Sequence, residues 1–183
     1  VLDALEDSPH ADNTIIVLWS DHGWHLGEKQ HWAKRTLWEE STRVPLLIAG
    51  PGIKPGQSCK EPASLIDLYP TLIDLCNLPK AAHLEGISLV PQLRDPAKVR
   101  KQPAISSSYS GNHPIRSRDW RLIVYEDGAK ELYDHRNDPD EFHNLANDPA
   151  HQSIRNELVR WLPKKAAPEF KDKSERSRLR TKR

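Results

Sequence analysis

The strongest constraint on the fold is a short run, Thr14-Ile15-Ile16-Val17, which is β-branched throughout and so has no polar face. A strand of that kind needs cover on both sides. The expectation is a strand within a mainly parallel sheet flanked by helices, the α/β class, rather than a half-exposed strand of an antiparallel sheet. Asp12-Asn13 supply turn chemistry ahead of it, and Val1 to Glu6 resemble the end of a helix. The run stops at Ser20, and the next residues are Asp21, His22 and Gly23.

Further along, Val44 to Ala49 forms a second apolar run, after which Pro51-Gly52 and Pro55-Gly56 break regular structure twice. Ala63 to Ile66 reads as a third strand. Asp67 then has the character of a helix N-cap, with Pro70 tolerated in the first turn and Leu68, Leu72, Ile73, Leu75 and Cys76 forming an apolar stripe. Pro79 to Gln102 reads as a connection with one short helical turn anchored by Leu89, Val90 and Leu93. Composition then shifts. Ala104 to Tyr109, Trp120 to Tyr125 and Glu131 to Tyr133 are strand-like, and Asp127-Gly128 is a hairpin signal. Asp138-Pro139 and Asp148-Pro149 mark turns, and Ile154, Leu158, Trp161 and Leu162 fall on one face of a closing helix. The pattern divides the chain into an α/β portion over 1–102, a small antiparallel subdomain with a helix over 103–165, and a basic tail over 166–183.

Composition excludes several classes. No apolar run approaches the roughly 20 residues that span a bilayer, so no membrane span is expected. Cys59 and Cys76, the only cysteines, support neither a disulfide framework nor a four-cysteine zinc site. The net charge of +1 is uneven: Lys171 to Arg183 carries +5 and the remainder −4. Such a tail could engage a polyanion, but with no aromatic beyond Phe170 for base stacking it reads as a solvated, disordered end with no nucleic-acid partner. The sequence opens on Val1 and contains no Met, so it reads as a fragment whose targeting segment is not legible.

The chemistry concentrates in Ser20-Asp21-His22-Gly23-Trp24-His25-Leu26-Gly27-Glu28, His31-Trp32-Ala33-Lys34 and Arg43-Val44-Pro45. Open α/β sheets bind ligands beyond the C-terminal ends of their strands, which is where Asp21 and His22 stand. A carboxylate there suits a hard divalent cation, an adjacent imidazole can be a second ligand or a proton donor, and Lys34 can hold an anion. The same residues read equally as a capped turn and a solvated lysine. Zinc on His22, His25 and His31 is a further alternative, although the spacing is not a tetrahedral signature.

These segments, followed by P-G-I-K-P-G, S-L-I-D-L-Y-P-T-L-I-D-L, L-E-G-I-S-L and E-L-Y-D-H-R-N-D-P-D-E-F-H-N-L-A, resemble in order the type I sulfatases of the alkaline-phosphatase-like superfamily, nearest the iduronate-2-sulfatase-like branch. The resemblance runs from Val1 to Leu162 and implies the C-terminal part of an alkaline-phosphatase-like sandwich. It implies that Asp21 and His22 are metal ligands for Ca2+, that Lys34 contacts the sulfate group, and that Lys34 and His22 balance charge and protons in catalysis. Trp24 and His25 would fit the substrate, and His113, beside Asn112, would reach the sugar from the second subdomain. Glu40, Arg43, Asp67 and the D-P-D-E segment would be structural.

In that family the nucleophile is a formylglycine made from Cys or Ser in a C/S-x-P/A-x-R motif. Neither Cys59-Lys60-Glu61-Pro62-Ala63 nor Cys76-Asn77-Leu78-Pro79-Lys80 fits it. The nucleophile and the paired aspartates that complete the calcium site are therefore expected in a missing N-terminal part, and the 183 residues alone are expected to be inactive. The implied substrate is a sulfated small molecule or sulfated glycan, and the implied location is extracytoplasmic: periplasmic, secreted or lysosomal. Rivals are a phosphate or phosphonate ester hydrolase of the same superfamily and a non-catalytic anion-binding module.

Overall fold

The computed structural model describes residues 1–108 and 111–164. The basic tail, and the end of the strand expected to reach Tyr109, lie outside the described residues. Helix α1 (Leu2–Glu6) precedes strand β1 (Ile16–Trp19), and a long excursion then carries a hairpin of β2 (His25–Leu26) and β3 (Trp32–Ala33) and a single helical turn, α2 (Glu39–Thr42). The chain returns in β4 (Leu46–Ala49). Helices α3 (Leu68–Leu75) and α4 (Val90–Arg94) follow, then four strands, β5 (Ala104–Ile105), β6 (His113–Arg116), β7 (Trp120–Val124) and β8 (Lys130–Asp134), and the closing helix α5 (Gln152–Val159).

The pairing of β1 corrects one expectation. Its partner is β4, and the pair is antiparallel, with Ile16 opposite Ala49 and Trp19 opposite Leu46. A parallel neighbour needs a crossover, normally a helix. Residues 20–45 instead leave and re-enter at the same end of the pair, so the chain reverses. Leu18 and Leu47 face each other across this ribbon and are each 56% exposed. An apolar strand of this kind is expected to be covered on two faces, and the described residues supply only part of that cover.

A second correction concerns residues 63–66, expected as a strand. Leu65–Asp67 is a 3-10 turn entering α3; Asp67 stands at the N-cap of α3 as expected but makes no side-chain capping bond there, and Ser64 caps the 3-10 turn. Ser64 and Asp67 form a reciprocal capping box, which satisfies amides that a helix start leaves unpaired. The buried Asp67 carboxylate also accepts the Ile87 N–H at 2.8 Å and Arg100 Nη2 at 2.8 Å, so it ties α3 to the loop after it. Gly86 lies so close to this turn that a Cβ there would fall 2.0 Å from the Ile66 carbonyl oxygen. That contact accounts for the glycine of L-E-G-I-S-L.

The second half follows its pattern closely. Strands β5-β6-β7-β8 form one antiparallel sheet in sequence order. The β7–β8 turn carries Gly128 at φ +88°, a conformation that glycine adopts at least cost. On one face Ile115, Leu122 and Leu132 are fully buried with Ala146 and Leu158, and Ile154, Trp161 and Leu162 pack against them. On the other face Ile123 and Tyr133 pack against Leu37, with Trp38 and Tyr125 alongside. The sheet is thus covered by α5 on one side and by the excursion between β1 and β4 on the other. Among the described residues no helix is long and apolar enough to cross a membrane, and both cysteines are free and exposed.

Candidate active site

At the end of β1 the chain turns under local hydrogen bonding: Ser20 Oγ donates to the His22 carbonyl at 2.9 Å, and the Gly23 N–H donates to the Ser41 carbonyl at 2.9 Å. Gly23 permits this approach, since a Cβ there would fall 1.8 Å from the Glu40 carbonyl oxygen. Glu40 and Arg43, expected to be structural, lie where the excursion closes: the Arg43 N–H donates to the Glu39 carbonyl at 2.7 Å.

His22 Nδ1 lies 2.8 Å from the Gly23 carbonyl. A carbonyl only accepts, so Nδ1 carries the proton and Nε2 presents its lone pair outward. Nε2 is 2.6 Å from Lys34 Nζ and 3.5 Å from Asp21 Oδ2. Three of the residues singled out by sequence, Asp21, His22 and Lys34, therefore meet at one point, with Trp24 beside them at 6.2 Å between ring centroids and 52% exposed. The Asp21 side chain is 82% exposed, which leaves its carboxylate open to an incoming ligand.

Lys34 arrives there through an unusual backbone. In the β2–β3 hairpin His25 pairs with Ala33 and Leu26 with Trp32. Lys29, Gln30, Ala33 and Arg35 all adopt positive φ, from +53° to +81°, so left-handed residues flank Lys34 on both sides. Each costs about 1 kcal/mol in a non-glycine residue and persists only where its surroundings hold it.

His25 does not line this site. It is fully buried, with Nε2 bonded to Thr36 Oγ1 at 2.7 Å and Thr36 bonded in turn to Ser41 Oγ at 2.8 Å. Its ring meets those of His31 and Trp38 at 5.0 and 6.0 Å between centroids, so it is the polar core of the excursion rather than a substrate contact. His113 is also buried, at the start of β6, with Nδ1 bonded to Ser107 Oγ at 2.9 Å. No contact joins it to Asp21, His22 or Lys34 among the described residues.

The fit to a hard cation is partial. Asp21 Oδ2 and His22 Nε2 are spaced as neighbouring ligands of one ion would be, and the His22 tautomer is fixed by Gly23, as ligating imidazoles usually are. The Nε2 lone pair that would face an ion is the one facing Lys34 Nζ, and two donors fall well short of the six to eight oxygens calcium takes. Taken as ligands, Asp21 and His22 would supply only part of a coordination shell. A broad cleft of about 2800 Å3 between β4 and the C-terminal sheet includes Asp21 on its wall but neither His22 nor Lys34, so it is not this site.

Sequence reasoning missed a second cluster altogether. Glu39, His135 and Glu141 gather within ligand distance of one another, but Arg116 and Arg121 already engage the carboxylates: both pair with Glu39, and Arg121 also pairs with Glu141. Two guanidiniums against two carboxylates make this an ion-pair network rather than a cation site. Burial opposes ionisation of Glu39, but Arg121 and Arg116 prevail and hold its carboxyl below the usual carboxylate range. The only hint in the sequence was D-P-D-E, which reads as a turn.

Comparisons with known proteins establish the fold and the family. The fold is shared with solved structures of sulfatases of the alkaline-phosphatase-like superfamily. BT4656, solved in complex with its substrate D-glucosamine-2-N,6-O-disulfate, superposes with a TM-score of 0.77 at 32% identity over 88% of this chain and 35% of its own. The 2-O glycosaminoglycan sulfatase BT1596 gives 0.73 at 34% identity over 88% and 38%. A phosphonate monoester hydrolase of Agrobacterium radiobacter gives 0.72 at 26% over 86% and 36%. In sequence, a sulfatase of Formosa agariphila is 43% identical over 90% of this chain and 32% of its own, and human arylsulfatase K is 35% identical over 78% and 30%. The profile of N-sulphoglucosamine sulphohydrolase, C-terminal, matches residues 27–167, and the chain belongs to that family. It spans about a third of the length of the curated relatives it matches.

Proposed function

We propose that this chain is the part of a calcium-dependent sulfuric ester hydrolase that contributes Asp21, His22 and Lys34 to an active site completed by the rest of the protein. The observation that carries the proposal is the meeting of Lys34 Nζ with His22 Nε2 at 2.6 Å, beside an exposed Asp21 carboxylate. With the Nε2 lone pair of His22 given to a cation, the released Lys34 ammonium beside it would grip a tetrahedral anion from a second side. Lys34 would hold a sulfuryl oxygen and offset charge that grows there in the transition state, while His22 keeps Lys34 and Asp21 in register. Asp21 and His22 would hold the calcium, whose chemistry is that of a Lewis acid polarising the sulfuryl group. The nucleophile, formylglycine in the resembled family, would come from elsewhere in the protein.

The substrate we propose is a sulfated carbohydrate, consistent with the sulfated sugar bound by BT4656 and the glycosaminoglycan activity named for BT1596. The exposed indole of Trp24 beside His22 offers such a sugar an apolar wall. Placement near the iduronate-2-sulfatase-like branch rests on the motifs, and the relatives found carry other names, arylsulfatase K among them. An extracytoplasmic location is part of the same proposal. Phosphonate ester hydrolysis is the second reading, favoured by the Agrobacterium neighbour, though that relative is less similar in sequence than BT4656, BT1596 and the Formosa sulfatase.

The test is hydrolysis of an aryl sulfate, a sulfated hexosamine and a phosphonate monoester by the full-length protein and its Lys34→Ala variant. Preference for sulfate esters, with kcat/KM lowered about 10²-fold or more in the variant, is expected. Preference for the phosphonate, or an unaffected variant, would overturn the reading.

A further inference from the structure

Lys34 sits midway between two residues, Lys29 and Glu39, that are both held by one distant residue. The Lys29 ammonium donates to the Glu141 carbonyl, and the Glu39 N–H donates to Glu141 Oε2 at 3.0 Å. Glu141 is wholly buried and itself left-handed, at φ +59°. Its remaining oxygen, Oε1, is fixed by Arg121 Nε and by His135 Nε2 at 2.8 Å. His135 Nδ1 accepts from Arg116 at 2.9 Å, so the ring donates to Glu141 through Nε2. One residue of the D-P-D-E turn thus closes a ring on both ends of the segment carrying Lys34.

The Lys29 end has further support. Its ammonium lies 4.7 Å from the Trp38 ring centroid, 5.0 Å from Tyr133 and 5.5 Å from Phe142, an aromatic enclosure drawn from the excursion and the C-terminal sheet together. Glu131 fixes two of these walls, accepting Trp38 Nε1 at 2.7 Å and the Tyr133 hydroxyl at 2.7 Å. Burial and Glu131 push the Tyr133 hydroxyl well above its ordinary pKa, so it stays a donor. A half-buried cation beside three rings is attracted to each of them. The strained residues Ala33 and Arg35 lie inside the segment so clamped.

We infer that Lys29 and Glu141 form a clamp by which the C-terminal sheet sets the position of Lys34, making them positioning residues of the site proposed above, on whose function the catalytic half of this inference rests. Neither touches Lys34 or His22. Their effect reaches the site through the backbone of residues 29–39.

The experiment uses the full-length protein with Lys29→Met, Lys29→Arg and Glu141→Gln. Amide exchange at Gln30 and His31, both hydrogen-bonded inside the hairpin, is measured beside that at Leu122 and Leu132 in the sheet. Lys29→Met is expected to speed exchange at Gln30 and His31 by about tenfold while the sheet amides keep theirs. It should also lower kcat for an aryl sulfate by about tenfold with KM within about twofold, and Lys29→Arg should restore most of kcat. Glu141→Gln should move the same two readouts in the same direction. If Glu141→Gln fails to fold, Lys29→Met decides alone. Unchanged exchange at Gln30 and His31 in Lys29→Met would overturn the clamp, and faster exchange with unchanged kcat would overturn its link to catalysis. A wild-type protein without sulfatase activity would overturn the proposed function instead, and the exchange arm would still decide the clamp.

Discussion

Leu18 in β1 and Leu122 in β7 are the same side chain in the same kind of element, yet one is 56% exposed and the other fully buried. The β1–β4 ribbon has two apolar faces and little to cover them. The C-terminal sheet has an α-helix on one face and the β1–β4 excursion on the other. The residues proposed for chemistry, Asp21, His22 and Lys34, belong to the poorly covered region, whereas Glu141, inferred to position Lys34, belongs to the well-covered one. On that inference the strained loop is positioned from the better-packed region, on which the excursion carrying it is itself seated through Leu37 and Trp38.

The contrast can be broken at its strongest point first. Leu122→Ala should destabilise the chain by about 2–5 kcal/mol, the cost of a core cavity, read as a lower urea midpoint. Gly23→Ala forces the β1 turn off the Glu40 carbonyl and should cost about 1–3 kcal/mol by the same measurement. An effect of Gly23→Ala larger than that of Leu122→Ala would invert the account of which region carries stability.

Acid offers a finer probe. The Arg136 side chain, opposed by burial and helped by the Arg136 amide and Asn137, holds the Asp134 carboxyl down to about 2. Because that lies below the unfolded value near 3.9, the stabilisation is complete above about pH 4 and is lost as pH falls through about 2. Arg136 is more than half exposed, so screening limits the effect to about 1 kcal/mol. Asp134→Asn should therefore melt below wild type at pH 7 and alongside it near pH 2. The smallest effect should be Leu18→Ala, under about 1 kcal/mol in this chain because the side chain is already in water.

What the sequence revealed and what it concealed follow the range of the interactions. The β7–β8 hairpin, the closing-helix face and the strand before Asp21 rest on periodicity and on Asp-Gly chemistry, which are local, and all three are present as expected. The direction of β1 pairing was illegible, because period-two patterns do not encode which neighbour a strand takes. Ala63 to Ile66 was misassigned because an apolar run before a capping box looks like a strand until its Ser64 partner is seen. That Asp21, His22 and Lys34 meet could be anticipated because their motif is contiguous. Lys29 and Glu141 could not, being 112 residues apart and joined through a carbonyl that no side-chain pattern records. The burial of His25 was equally hidden: a histidine three residues from His22 in sequence is turned inward by the hairpin.

The most direct test of the central claim is calcium binding by the full-length protein and its Asp21→Ala variant, followed by titration calorimetry at fixed pH. Loss of a carboxylate ligand should weaken calcium affinity by about tenfold or more, with sulfate-ester turnover recovering at correspondingly higher calcium. An affinity unchanged by Asp21→Ala would contradict the assignment of this strand end as the chain's share of the metal site.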